Sequence, residues 1–506
     1  MPDLAFDIVI VGSGAGGGTV AKELSRLAKD GARIAVLEWG PKLRDDEFTG
    51  KELEMASKLY FDAGGFLTRD KTMTLAFGKL YGGSTVVYTG TSLKLPKETL
   101  ERWAVPGLEY DDLSRRSDKY LAENNVHKLD PEHVNDNNRL FKEACDKLGY
   151  KVEQFPINVK GCHGSGLCNL GCPNAAKQGT NRVQLPEAQR NGVTVVTNCK
   201  VDTVEDHYVY AKVQNPPFGE PSVWAEGTYR IRAKTVVVCA GAVNSPALLL
   251  RSGFGGRLPA LGRYFTAHPA LILVAQHEKP ITNYHGHPKS YFCDEFTESK
   301  GFLLETCMYY PFVTAKNLAG FGEEHSALLR HMDRLQMILV LALDPPRAEN
   351  RVLIDRNGDP VVDYKLSPQV LESLLESMKA STRIFFAAGA QRVHAPAGKK
   401  FFIERSEQDR LDDLIVREKM LPGRVSISSA HLMGGCRMGS DPELSVTDSW
   451  GRVHGTDWLY VADSSLFPRC SEINPYVTIM ALADRVAEGI TKRAGELLRE
   501  KATSTA

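Results

Sequence analysis

Four groups of residues in this chain combine side chains and spacing that could do chemistry. The first is His431, which runs into Gly434, Gly435 and Cys436. An imidazole can take up a proton near neutral pH, and close-packed glycines would let a flat ligand approach it. The second is Asn474-Pro475-Tyr476. Asn474 is a good N-cap and Pro475 a good first helical residue, and a helix start there offers free amides and positive dipole to an anionic group. The third is Gly12-x-Gly14-x-x-Gly17, with Glu38 following 21 residues after Gly17. The glycines permit a tight turn, close backbone approach to a pyrophosphate and close helix packing. The acid would accept a bond from a ribose 2′-hydroxyl and repel a 2′-phosphate, which favours FAD or NAD over NADP. The fourth is Cys162-x5-Cys168-x3-Cys172-Pro173, in a loop with glycines at 161, 164, 166 and 171. Thiolates at this spacing can ligate an iron–sulfur cluster, and three suit a three-iron, four-sulfur cluster better than a four-iron one. Zinc, with His163, and three unligated thiols are the other readings of that loop. A lone histidine is more often structural than catalytic, and Asn-Pro alone marks a helix start.

These residues need elements to hold them. Ile8 to Val11 reads as a buried strand, Thr19 to Lys29 as a helix with Val20, Leu24 and Leu27 on one face, and Arg33 to Glu38 as a second strand. That βαβ opening places the glycine fingerprint between strand and helix. Gly78 to Thr85 is a second glycine-rich stretch, and residues 110 to 150 have helical, amphipathic patterning. Val193 to Thr197, Val204 to Val213, Tyr229 to Arg232 and Thr235 to Gly241 are predicted strands, the last ending in a turn. Val461 to Asp463 ends a late strand, and Thr478 to Leu498 is a long amphipathic helix.

Length and composition bound the rest. With 506 residues, 42% hydrophobic and 25% charged, the chain is globular and holds two or three domains. Lys plus Arg and Asp plus Glu are 62 each, so a general nucleic-acid or anionic-membrane binder is disfavoured. Ten cysteines are too sparse for a disulfide framework. No apolar run reaches the roughly 18 residues of a membrane span, and a strand near the N-terminus leaves no room for a leader, so the expected location is cytoplasmic.

Taken together the motifs resemble the glucose–methanol–choline oxidoreductases, FAD-dependent enzymes that oxidise alcohols. Gly12 to Gly17 and Glu38 fit that family's FAD fingerprint. Gly78 to Val87 resembles its first signature and Gly241 to Gly253 its second. Leu459 to Pro468 and Asn474-Pro475 resemble its C-terminal end. The resemblance implies that His431 is the catalytic base and Asn474 its partner, with hydride passing from the carbinol carbon to flavin N5. It sets Gly82, Gly83, Ser84, Val87, Ala240, Pro475 and Tyr476 along the flavin, the backbone near Val201 against the adenine, and Asp463 near the diphosphate and ribityl chain. Val87 stands where some members carry a flavin-linked histidine, so FAD would be non-covalent. Tyr88 replaces a usual Asn or His, and Gly435 a common Thr. The wording around His431 is similar to the long-chain alcohol oxidase branch. The cysteine spacing resembles the three-iron loop of FAD-dependent sugar dehydrogenases, where the cluster passes electrons to a haem subunit.

The expected fold is therefore α/β. A Rossmann-type FAD domain is assembled from 1–105, 185–268 and 425–506. A helical segment with the cysteine loop spans 106–184, and a sheet-based substrate domain spans 269–424. The expected activity is oxidation of an alcohol or sugar CH–OH to a carbonyl, with electrons leaving through a cysteine-loop cluster to a protein acceptor or small subunit. An oxidase that uses oxygen without a cluster is the alternative. A nicotinamide dehydrogenase would share only the opening βαβ unit, and a non-catalytic electron carrier would not need His431 and Asn474. Tyr309, Tyr310, Phe312 and Phe321 could line a pocket or be core aromatics.

Overall fold

The computed structural model of the chain describes residues 2–318 and 320–503. Strand Asp3–Val11 leads through a turn at Gly12, φ +100°, into helix Ala15–Lys29, and the chain returns as Ile34–Leu37. Ile8 to Val11 are buried on both faces, as a continuous apolar run in a parallel sheet must be. Around this unit a seven-stranded sheet is ordered Thr194–Val196, Ile34–Leu37, Asp3–Val11, Gly227–Val238, Tyr208–Val213, Cys199–Glu205, with Leu459–Val461 also paired to Gly227–Val238. The first four strands and Leu459–Val461 are parallel, and the hairpin at the far edge is antiparallel.

Several elements differ from the sequence expectation, among them helix Ala15–Lys29, which begins four residues before the predicted Thr19. Tyr229–Arg232 and Thr235–Gly241 are parts of one strand, Gly227–Val238. The predicted strand Val204 to Val213 is broken by a turn where Asp206 and His207 take φ of +34° and +69°, so the strands on either side pair antiparallel. No glycine or proline marks that turn, which is why the pattern hid it. The last helix begins at Tyr476, two residues before the predicted start.

A ten-stranded sheet forms the second layer. Its central strands, Ala270–Gln276, Leu335–Ala342 and Phe302–Thr306, are antiparallel neighbours. Met73–Leu75 and Val152–Gln154, from well before residue 269, also join it. Alternation sorts the central strands onto two faces. Leu271, Leu273 and Ala275 pack with Leu374, Met378 and Phe385 of the long helix Pro368–Ala387, whose N-cap Ser367 accepts a bond from the Val370 amide. Ala270, Ile272, Leu339 and Leu341 turn the other way, towards the cavity described below. Among the described residues no helix is long and apolar enough to cross a membrane.

Between the two sheets runs the segment that carries His431. Strand Ile427–Ser429 belongs to the second sheet. A few residues on, the Gly434, Cys436 and Met438 amides donate to the Ser464, Ser465 and Leu466 carbonyls, 2.9–3.0 Å away, just beyond the last strand of the first sheet. His431 thus lies where the chain crosses from one sheet to the other.

Candidate active site

A cavity of about 740 Å³ lies between the sheets, and most of the residues singled out from sequence line it. At one end are Gly12, Gly14, Glu38, Val201 and Ala240. Gly83, Ser84, Val87 and Asp463 follow, and His431, Asn474, Pro475 and Tyr476 are also on its wall. Gly17 and Gly82 stand behind the wall. A Cβ on Gly17 would lie 2.0 Å from the Gly12 carbonyl oxygen, so this glycine is needed by the turn itself. The adjacent Gly16 carries the tightest contact of all, because a Cβ there would lie 1.8 Å from the Ala462 oxygen. The three-glycine fingerprint overlooked it.

Glu38 is more heavily engaged than its spacing foretold. Its Oε2 accepts from the Ser13 amide at 3.0 Å and the Ser13 hydroxyl at 2.6 Å, and its Oε1 accepts from the Gly40 amide at 2.7 Å. A carboxylate has about four acceptor positions, so one remains for a ribose hydroxyl. Burial pushes its carboxyl up, against the pull of these donors. Ser13 also accepts from the Gly82 amide at 2.9 Å, tying the fingerprint loop to the second glycine stretch. It sits inside the motif at a position where any residue is allowed, so spacing could not single it out. Asp463 plays a similar part at the other crossing. Its Oδ2 accepts from the Gly241 amide at 2.8 Å and from the Ser245 hydroxyl, and its Oδ1 from the Ser465 amide at 2.8 Å.

His431 and Asn474 meet. Asn474 Nδ2 lies 3.4 Å from His431 Nε2. An amide nitrogen can only donate, so Nε2 is the acceptor and His431 carries its proton on Nδ1. That Nδ1–H points to Nδ1 of His268, 3.0 Å away, and the rings meet edge-on at 81°. His268 is buried, and its own Nε2 has no partner. It is placed there by pairing of Thr266–Ala267 with Leu432–Met433. Burial holds the His431 imidazole well below its ordinary value, with the His268 and Lys289 charges acting in the same direction. A base accessible to the cavity is therefore neutral, with its lone pair on Nε2. Asn474 does not act as a side-chain N-cap: its Oδ1 is buried without a donor, and the helix starts beyond it.

The remaining lining is largely apolar. Tyr309, Tyr310 and Phe312 are on the wall, as one reading expected, whereas Phe321 is 94% exposed and belongs neither to the cavity nor to a core. Tyr88 lines the cavity and packs edge-on to Tyr476, whose hydroxyl meets Ser92 Oγ at 2.6 Å.

The cysteine loop borders the same space. Asn169 and Leu170 reach the cavity, and Leu170 packs with Phe48, Leu59 and Val87. The Gly164 amide donates to Cys162 Sγ at 3.4 Å. Cys168 feels both Cys172 and Cys162, yet among the described residues no group of three His, Cys, Asp or Glu side chains is assembled to hold a metal ion. The structure thus lends the expected cluster no support. Burial pushes the Cys168 thiol up to about 12. Lys177, unnoticed in the sequence, is buried behind the loop. It donates to the Cys168 carbonyl and, at 2.7 Å, to the Tyr88 carbonyl, and burial pushes its ammonium down to about 8.

Comparison with known proteins places this arrangement among relatives. A family model described as GMC oxidoreductase matches residues 56–270 with its N-terminal part and 346–483 with its C-terminal part. An uncharacterized GMC-type oxidoreductase of Mycobacterium tuberculosis is 32% identical over 490 residues, covering 95% of this chain and 75% of that protein. A long-chain-alcohol oxidase of Arabidopsis thaliana is 26% identical, covering 94% of this chain and 67% of its own. The crystal structure of pyridoxine 4-oxidase from Mesorbium loti superposes with a TM-score of 0.70 at 18% identity, over 96% of this chain and 99% of that one.

Proposed function

The chain belongs to the GMC oxidoreductase family, FAD-dependent enzymes acting on CH–OH donors, and from that premise we propose that it oxidises an alcohol with an apolar body to the corresponding carbonyl compound, with His431 as base. The observation that carries this reading is the convergence of His431 Nε2 and Asn474 Nδ2, 3.4 Å apart, on the wall of the cavity that also holds the dinucleotide loop.

The residues present fit FAD. Gly14 lines the cavity at the start of helix Ala15–Lys29 with no side-chain cap, which leaves amides free for a diphosphate. Glu38 keeps an acceptor position for the adenosine ribose, and the backbone at Val201 faces the adenine end. Gly83, Ser84, Ala240, Asp463, Pro475 and Tyr476 would border the rest. Val87 offers no nucleophile, so the cofactor is held without a covalent bond. When bound, FAD supplies the acceptor for the hydride leaving the carbinol carbon.

The protein's own part is acid–base and positional. His431, neutral and with its lone pair on Nε2, takes the hydroxyl proton. His268 Nδ1 then accepts the hydrogen bond of the resulting imidazolium. Asn474 Nδ2 donates to the substrate oxygen and orients it. The face of the second sheet turned to the cavity, with Ile272, Leu339 and Leu341, suits an apolar substrate body. The similarity to a long-chain-alcohol oxidase supports the same choice. The direct test is anaerobic mixing of FAD-loaded protein with a series of primary alcohols. Loss of the oxidised flavin absorbance with formation of aldehyde is expected, and protein that takes up no FAD would sink the reading. Electron exit through a cluster at Cys162, Cys168 and Cys172 rests on the cysteine spacing and its resemblance to the sugar dehydrogenase loop. Iron and acid-labile sulfide in anaerobically purified protein decide between that route and a plain alcohol oxidase.

A further inference from the structure

A lysine stands in the apolar wall of the cavity with a buried carboxylate behind it, and neither takes part in the proton transfer to His431. Lys289 lines the cavity, and its side chain is 8% exposed. Its Nζ is bonded to Glu305 Oε2, and Glu305 is fully buried. The register explains the position. Ile272 pairs with Leu339, and Leu339 with Glu305, so the three form a row across neighbouring strands. Leu303 and Cys307, which flank Glu305 at alternate positions, belong to the cavity-facing core. A carboxylate thus replaces the aliphatic residue that the pattern calls for.

The pair is also incomplete. Among the described residues Glu305 is the only partner of the Lys289 ammonium, which has three N–H donors. Among the described residues Glu305 Oε1 has no hydrogen-bond partner. A buried ion pair that served stability alone would be expected to satisfy these groups, because desolvated charges repay their burial only when fully bonded. Free N–H donors on a cavity wall match the lone pair of a hydroxyl, while Glu305, which is not among the lining residues, holds the ammonium from behind. Glu305 offsets the lysine charge, so a substrate carboxylate gains little here.

We infer that the Lys289–Glu305 pair recognises a second, non-reacting hydroxyl on the substrate, so that the enzyme prefers apolar alcohols bearing a neighbouring hydroxyl, such as 1,2- or 1,3-diols, over plain alkanols. The inference rests on the reading that this cavity oxidises an alcohol beside His431. A site built to hydrogen-bond a group discriminates against analogues that lack it, because its buried polar atoms are then left unpaired.

The test uses FAD-loaded protein with 1-octanol, 1,2-octanediol and 1,3-octanediol. One of the diols is expected to exceed 1-octanol in kcat/KM by about 10- to 100-fold, the range of a hydrogen bond to a charged group. Lys289→Met alone would strand the Glu305 charge, so it is combined with Glu305→Leu, which gives an apolar pair of similar size. The double variant should bring the diol-to-alkanol ratio close to one. A wild-type ratio near one for both diols, or a ratio that survives in the double variant, overturns the inference. Dissociation constants for the same alcohols on the His431→Ala protein read recognition without turnover. If the diol preference appears there and disappears with the pair, recognition stands even if none of the panel is oxidised, and only the alcohol-oxidation reading falls. Equal constants for all three alcohols overturn the recognition whatever the turnover shows.

Discussion

At the scale of single residues, the state of His431 follows from a neighbouring amide nitrogen, which can only donate. Asn474 Nδ2 faces Nε2, so the proton sits on Nδ1, and the Nε2 lone pair that accepts from Asn474 here is the one a substrate hydroxyl would take over. His431→Ala should therefore lower kcat by about 10² to 10⁴ while FAD uptake, read by absorbance, is retained. Because burial, His268 and Lys289 all hold the imidazole down, it stays neutral as pH falls through its ordinary 6.5. Activity limited by this base should persist below pH 6.5, and an acid limb of kcat/KM centred at or above 6.5 would contradict the assignment. His268→Phe fills the space but removes the acceptor of the Nδ1 hydrogen bond. It should cost roughly tenfold in kcat, with the substrate dissociation constant little changed. His431 and Asn474 were legible as motifs. His268 was not, because it stands 163 residues from His431 in sequence and reaches it only through strand pairing. Lys289 and Glu305 were invisible for a related reason: a lysine and an acid 16 residues apart have no signature until a sheet register brings them together.

At the scale of elements, the opening strand, glycine turn and helix could be read directly, since a buried parallel strand and an amphipathic helix have different periods. What could not be read was which glycine matters most to the packing. Gly16 faces the Ala462 carbonyl at a distance no Cβ can share, and backbone on both sides prevents an easy shift. Gly16→Ala is expected to separate helix Ala15–Lys29 from the strand end at Val461–Ala462 and to abolish FAD binding, measured by the flavin content of the purified protein. Gly14→Ala is the informative comparison. Its Cβ would meet only Gly83 Cα, at 3.8 Å, so the apoprotein should fold and lose affinity for FAD instead. The hairpin at Asp206–His207 escaped notice because no glycine or proline marks the turn, and the early start of the last helix because the helical pattern has no sharp break at Tyr476.

At the scale of the whole molecule, the cavity proposed to take FAD has walls from both sheets, so removal of the cofactor should loosen their union. A ligand that binds only the folded state adds about 2.7 kcal/mol at a concentration one hundred times its dissociation constant. The melting temperature of apoprotein titrated with FAD should rise accordingly, and an unchanged value would contradict the placement. Acid should act in the other direction. Burial holds His268 at about 3 and His287 and His394 at about 4, whereas an unfolded chain protonates them near 6.5. Between those values the unfolded state binds more protons, so stability falls as pH falls from 6.5 towards 4 and is indifferent to these groups above 6.5. Melting curves from pH 7.5 to 5 would check the sign.

Lys177 adds a buried charged tie between two parts of this molecule that already touch through Leu170. One ammonium grips the carbonyl of Cys168 in the cysteine loop and the carbonyl of Tyr88 on the cavity wall. The loop and the wall are therefore one mechanical piece. A bulky adduct or an oxidised sulfur at Cys168 would pull on the backbone next to Val87, and strain in the loop would arrive at the flavin as a change in colour.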